Sequence, residues 1–299
     1  MKRVLVTGAS GFIGRHTLSH LHASGFEIHT ADLRDLPAAA SGQHHHANLF
    51  DPQQVREIMA IVRPSHLLHL AWDVVPGQFW TSLQNVRWVQ ASLELLLEFA
   101  AVGGRRCVGA GTCAEYDWTL SAQCREEETP LKPATLYGAC KAALSLLQSR
   151  LAAQAGMSSA WCRVFHLYGP FEPPNRLVSS VAAALLQGQP AECTHGTQER
   201  DFVYVDDVAR AFVHVLDSEF SGSVNISSGQ PVAIRELAQL VAEIVGRPEL
   251  LRLGARPQPS DEPLQLVGDA SRLRQLGFSP RFSLQEGVSE TVAWWRHRL

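Results

Sequence analysis

The stretch MKRVLVTGASGFIGRH, residues 1–16, decides the fold. Residues 3–7 are an apolar run of strand type, Gly8, Gly11 and Gly14 follow, and a helical pattern opens at Ile13. A strand that breaks into glycines and resumes as a helix is the local architecture a pyrophosphate requires. The first glycine allows a tight turn, the second lets the backbone approach the ligand, and the third lets helix pack on strand. Free N–H groups at the helix start then face the anion with the positive end of the helix dipole. A bare glycine triplet says little. This one lies between strand and helix, and Asp32 closes a second apolar run about 20 residues on. Together they predict a dinucleotide site.

Outward from that stretch, strand and helix patterns alternate. Strands are expected at 27–31, 66–71, 106–110 and 159–165, with helices at 13–23, 51–62, 82–102 and 134–155. Asp51-Pro52 reads as N-cap and first helical residue, and Gly103-Gly104 as a helix stop. This order predicts an α/β fold, a Rossmann-type doubly wound parallel sheet. Tyr168–Pro174, YGPFEPP, breaks the pattern and marks a crossover. The expected organisation is a dinucleotide-binding domain over 1–167, to which 200–228 returns. A smaller C-terminal α/β substrate-binding lobe would use 168–199 and 229–299.

A chain of 299 residues with 45% hydrophobic content can bury a large core, and its net charge of −3 carries no basic excess for nucleic acid. No apolar run approaches a membrane span, and glycines interrupt the first apolar run too early for a signal peptide. The six cysteines form no C-x-x-C pair, which predicts reduced thiols in a cytoplasmic protein. His44-His45-His46 has no cysteine or carboxylate cluster beside it in sequence, so it reads as a polar loop and no metal is expected.

Chemistry gathers at Thr135–Lys141, TLYGACK, where Tyr137 and Lys141 stand four apart in a helical pattern and share a face. A phenol with an ordinary pKa of about 10 is a poor acid or base near neutrality. A fixed ammonium one turn away favours the phenolate, and a cationic nicotinamide would add to it. Bringing the phenol to about pH 7 takes roughly 4 kcal/mol, within reach of close charges away from water. Thr112 follows a predicted strand at its carboxyl end, the edge at which open α/β sheets bind ligands. Its hydroxyl would donate to or accept from a substrate oxygen.

These stretches together resemble the extended short-chain dehydrogenase/reductase family, the NAD-dependent epimerase/dehydratase group that modifies nucleotide sugars. TGASGFIG at 7–14 matches the family's TGxxGFIG, HLA at 69–71 its H-x-A, and YGACK at 137–141 its YxxxK. RVFHLYGP at 163–170 is similar to R-x-F-N-x-Y-G-P, and RDFVYVDDV at 200–208 to the segment between the family's lobes. The resemblance implies Tyr137 as general acid or base, Lys141 on the nicotinamide ribose, and Thr112 orienting the reacting oxygen. It implies Gly8, Gly11, Phe12, Ile13 and Gly14 at the pyrophosphate and Asp32 at the adenosine ribose. Asn48 or Leu49 would lie by the adenine and Ala71 on the nicotinamide side. Arg200 would clamp substrate phosphates, or else pair with Asp206 or Asp207. The helices at 82–102 and 134–155 are those the family pairs into a homodimer. The cofactor expected is NAD, since Asp32 repels a 2′-phosphate, with NADP open because Arg15 and Arg34 offset that charge.

The departures are informative. Members that dehydrate sugars follow the threonine with Asp-Glu; here Cys113 and Ala114 stand there, and Glu115 is one place late. His166 replaces the family asparagine, either as a substrate ligand or as a packed histidine. The helix at 82–102 lacks N-x-x-G-T, with Ser92 near the threonine's place and Trp80 and Trp88 added. The expected function is hydride transfer at a ring carbon of a nucleotide sugar, as a 4-keto sugar reductase. A 4-epimerase recycling bound NAD is the alternative, and a non-catalytic dinucleotide sensor is the more distant one.

Overall fold

Strand β1 (Lys2–Thr7) lies inside a seven-stranded parallel sheet in the computed structural model, which describes residues 2–36, 42–120, 123–257 and 263–299. The other strands are β2 (Phe26–Asp32), β3 (Gln43–His46), β4 (His66–His69), β5 (Arg106–Thr112), β6 (Ser158–Val164) and β11 (Gly222–Ile226). Their order is β11-β6-β5-β4-β1-β2-β3. The winding reverses between β1 and β4, which opens a crevice beyond the carboxyl ends of those two strands. The doubly wound Rossmann-type sheet is therefore present. Residues 38–40 and most of the proline-rich stretch 257–263 fall outside the described residues.

Helix α1 (Gly14–Ala23) packs against α6 (Val205–Leu216), while α2 (Pro52–Val62) and α4 (Leu136–Ala155) pack on α3 (Gln84–Ala101). Alternate residues of β1 feed two cores: Val4 and Val6 join Leu18, Leu21 and Phe212, and Leu5 joins Met59, Leu95 and Phe99. That is the period-2 consequence of a strand buried on both faces. Helix boundaries follow local chemistry. The Asp51 side chain accepts from Gln53 N, Pro52 opens α2, and Thr135 caps α4 by accepting from Gly138 N. Gly156 ends α4 at φ 68°, a conformation that only glycine takes without cost.

A third core joins α5 (Leu177–Leu186), α7 (Ile234–Val245) and α9 (Leu284–Arg296). Around it β7 (His166–Tyr168) pairs with β10 (Phe202–Tyr204), and β8 (Ala191–Glu192) with β13 (Leu251–Arg252). A further sheet has β9 (Glu199–Arg200) between β12 (Val232–Ala233) and β14 (Gln265–Leu266), and α8 (Ser271–Gln275) packs on β11. At the crossover, Phe171 takes a left-handed backbone, φ 70°, uncommon for a bulky residue. Its ring lies 4.1 Å from the Arg15 guanidinium and contacts His16 and Trp294, so it ties α1 to α9.

Two local expectations change. The His44–His46 run is strand β3, pairing with β2; the His45 ring stacks on His29, and Thr30 bonds His44. Neighbouring strand backbone outweighs the polar composition. β5 runs two residues beyond the expected 110, because Gly109 and Gly111 leave room for Trp161 on β6 and pairing continues to Thr112. No helix among the described residues is long and apolar enough to cross a membrane.

Candidate active site

The glycine turn is built on close backbone contact. Gly8 has φ 76°, and a Cβ there would lie 2.6 Å from Ala71 N; one on Gly14 would lie 2.1 Å from Gly8 O. Only glycine fits. Asp32, at the carboxyl end of β2, accepts from Ala9 N at 3.0 Å and Ser10 Oγ at 3.1 Å, so it steadies the turn as well as facing the crevice. Burial holds its carboxyl above the usual range, and these donors oppose that shift. Arg15 closes the other side, donating to Ser10 O and Gly11 O.

Gly8, Gly11, Asp32, Asn48, Leu49 and Ala71 line one cavity of about 200 Å³. Phe12, Ile13 and Gly14 line an adjoining one of about 330 Å³ with Thr112, Tyr137, Lys141 and His166. Gly8, Gly11 and Trp72 line both, so the two cavities meet at the glycine turn. A glycine cradle that a Cβ would fill, with a carboxylate at one end and a Tyr–Lys pair at the other, fits an extended dinucleotide. When bound, such a cofactor supplies hydride transfer.

Thr112 ends β5, and its side chain accepts from Ala114 N at 3.2 Å. Tyr137 lies in the first turn of α4, its N–H donating to Trp80 O, and its side chain lines the cavity with Thr112. The Lys141 ammonium donates to Ala110 O at 2.9 Å and sits 3.8 Å from the centre of the Trp72 ring. The expectation that Lys141 lowers the Tyr137 pKa is not met by the protein's own groups. Burial raises the phenol pKa; the Thr112 hydroxyl opposes this, and Arg176 is the cation that pulls it down. Burial likewise lowers Lys141, to about 7, against the pull of Glu115. Both groups are desolvated together, and each moves toward its neutral form.

This has a measurable consequence. Between pH 7 and 10.5 the unfolded chain keeps the Lys141 proton and the folded chain releases it, so this residue's contribution makes stability rise with pH over that window. At neutral pH, Lys141→Met should raise the melting temperature by several degrees, with the gain fading toward pH 10. A variant less stable than wild type at pH 7 would contradict this account.

The neighbouring polar groups are committed to structure. His69 Nδ1 accepts from Thr7 Oγ1 at 2.7 Å, and its Nε2 donates to Ser92 Oγ at 2.8 Å, since Ser92 donates to Trp88 O. Burial depresses His69 to about 3, so it stays neutral. Cys113 is buried with its thiol pushed up to about 12 and is no nucleophile. His166 starts β7 with Nδ1 out of solvent and unpartnered among the described residues. Burial first, then the Arg200 and Arg176 charges, lowers it to about 3. Arg200 on β9 is buried outside the cavity lining, its Nη1 donating to Glu199 O and Pro263 O. Asp206 bonds His20 and Asp207 pairs with Arg210.

Arg176, Trp72 and Phe79 carry no sequence signal of their own, and Glu115 turns out to be structural. Arg176, just before α5, lines the catalytic cavity with its Nε 3.3 Å from buried Glu172. Trp72 covers Lys141, and Phe79 sets its ring edge-on to Tyr137 at 4.8 Å. Glu115 is fully buried and accepts from Thr112 N, Trp161 Nε1 and Arg163 Nε, at 2.8, 2.9 and 2.8 Å.

The fold and this constellation define a two-cavity dinucleotide-binding α/β protein with a Thr-Tyr-Lys set. The model of the NAD dependent epimerase/dehydratase family matches residues 4–227, and the chain belongs to that family. It is 27% identical to a UDP-glucose 4-epimerase of Mycolicibacterium smegmatis, over 99% of both chains. Among solved structures it is similar to the Thermus thermophilus UDP-glucose 4-epimerase in complex with NAD, with TM-score 0.86, 28% identity, and 99% and 100% of the chains covered. MoeE5 in complex with UDP-glucuronic acid and NAD gives TM-score 0.86 and 30% identity over 99% and 100%. The family is NAD-dependent.

Proposed function

We propose that this chain transfers hydride at a ring carbon, C4, of a nucleotide-activated sugar, in the direction of a 4-keto sugar reductase. One observation carries this reading: Tyr137 is buried and lines, with Thr112 and Lys141, a cavity whose described lining includes no carboxylate. A neutral phenol is an acid, and reduction of a ketone needs a proton on the nascent alkoxide. Thr112 orients that oxygen, Tyr137 gives the proton, and Lys141 holds the nicotinamide ribose. Dehydration has no acid–base pair to run on, since Cys113 stays a thiol and Glu115 is spent on Arg163. Residues 168–199 and 229–299 are the lobe that takes the sugar nucleotide. His166 Nδ1 and Arg176 offer it polar contact from the cavity, and Arg200 would reach its phosphates only by leaving a carbonyl partner.

The 4-epimerase reading is favoured by the UDP-glucose 4-epimerases among the similar proteins. Denaturing the purified protein and assaying released nucleotide separates the two. A reductase should release little and consume added NADH or NADPH with a keto-sugar nucleotide. Stoichiometric released NAD with interconversion of two sugar epimers would replace the reductase reading, and neither activity would refute both.

We also propose a homodimer through α3 and α4. Val86 and Leu97 on α3, and Leu146 and Leu147 on α4, are exposed apolar side chains on neighbouring helices. Light scattering at micromolar concentration should give twice the chain mass; a monomer mass would count against it.

A further inference from the structure

We infer that Arg176 and Glu172 form an exchangeable pair: the diphosphate of a nucleotide sugar takes Arg176, and Glu172 takes up a proton in its place. This rests on the nucleotide-sugar reading above. Lys141 and Arg176 are the cations in the described lining of the catalytic cavity. Lys141 is committed to Ala110 O beneath the Trp72 ring, and Arg200 lies outside that lining with backbone partners. A diphosphate that leaves water for a protein cavity has to be met by a cation. Arg176 is placed to do so, at the start of α5 on the cavity wall with its side chain one-third exposed.

Its present partner is fixed and out of water. The Glu172 side chain, in the crossover, is only 2% exposed. Its Oε2 accepts from Ser179 N at 3.2 Å and Ser179 Oγ at 2.8 Å, and Trp295 Nε1 donates to that hydroxyl at 3.2 Å. Helices α5 and α9 therefore hold the carboxyl in place. Among the described residues Oε1 has Arg176 Nε as its partner, at 3.3 Å. That contact is single and long beside the about 2.7–2.9 Å of a strong charge-assisted bond, so it is the one to give way. With Arg176 turned to the diphosphate, Oε1 would be an anionic oxygen with neither water nor donor, and a proton from solvent removes that penalty. Burial already holds the carboxyl up at about 7, and Arg176 is the charge that opposes it. Tyr168 on β7, the other titratable neighbour, is a buried phenol whose pKa is raised, so it stays neutral. The complex thus binds more proton than the free protein, so affinity is highest below about pH 7 and falls as pH rises through it.

The test is calorimetric titration of Tyr137→Phe protein loaded with NAD, which binds without turning over, in buffers of different ionisation enthalpy. The probes are the UDP, thymidine diphosphate, GDP and CDP conjugates of glucose, whose esterified diphosphate stays ionised throughout. At about pH 7.5 the conjugate that binds should take up roughly half a proton per site, and its affinity should fall about fourfold or more between pH 7 and 8.5. Adding Glu172→Gln keeps an acceptor for Ser179 and removes the titrating group, so uptake should vanish and affinity should be flat over that range. Adding Arg176→Met instead should lower affinity about tenfold or more and also abolish uptake, since Glu172 is then protonated beforehand. Binding without proton uptake would overturn the inference and leave the nucleotide-sugar reading standing. Uptake unchanged in either added variant would place the proton on another group, Lys141 or His166, and overturn it too. Binding of none of the four conjugates would overturn the inference and that reading together.

Discussion

Tyr137→Phe should lower turnover by roughly 10²–10⁴-fold while NAD binds as in wild type. The substitution removes one oxygen and keeps the ring, so the edge contacts with Phe79 and Trp80 survive. What is lost is the proton the reaction needs. The cofactor is reached mainly from the glycine turn and Asp32, which Tyr137 does not touch, so dissociation constants for NAD should agree within about twofold. Stability should change little, since the ring and its edge contacts are kept. Near wild-type turnover in the variant would end the assignment of Tyr137 as acid. Loss of NAD affinity in proportion to turnover would mean the residue serves binding only.

The parts of the site that were legible in the sequence are those dictated by local backbone geometry. Gly8 and Gly14 are required by contacts of 2.6 and 2.1 Å that any Cβ would make, and such contacts recur wherever strand, turn and helix meet this way. The Asp51-Pro52 start of α2 and the capping Thr135 of α4 are likewise local hydrogen-bond requirements. Tyr137 and Lys141 share a face because helices repeat every 3.6 residues. What could not be read is whatever depends on burial or on distant strands meeting. The four-residue spacing gave a cation near a phenol; only packing shows that both are out of water, which reverses the direction of the Tyr137 shift. Arg176 reaches the cavity across the crossover, far from Thr112 in sequence. The His44–His46 run became a strand because β2 offered it an open edge.

Glu115 is the sharpest case of a residue whose sequence position misled. One place beyond a dehydratase acid, it looks like a displaced catalytic group, yet it has no exposed surface and its carboxylate is fully engaged. Oε1 takes the Thr112 amide and the Trp161 indole, and Oε2 pairs with Arg163, itself only 3% exposed. The carboxylate thus pins the end of β5 where Thr112 turns toward Tyr137. Glu115→Gln keeps an oxygen for Thr112 and Trp161 but sets an N–H₂ against the Arg163 guanidinium and strands its charge. Removing one partner of a buried pair costs about 3–5 kcal/mol, for a chain of this size a melting shift of roughly 6–15 °C. The charge penalty, more than any lost contact, is the source of that cost. Adding Arg163→Met to the Glu115→Gln variant removes the stranded charge, so the double variant should recover at least about half of the lost stability. Turnover should stay below wild type in the double variant at saturating substrate, because the Thr112 turn is still held by a weaker acceptor. If Glu115→Gln alone melts within about 1 °C of wild type, the carboxylate is not the anchor of this strand end. If the double variant is no more stable than the single one, the Arg163 charge is not what makes the loss large.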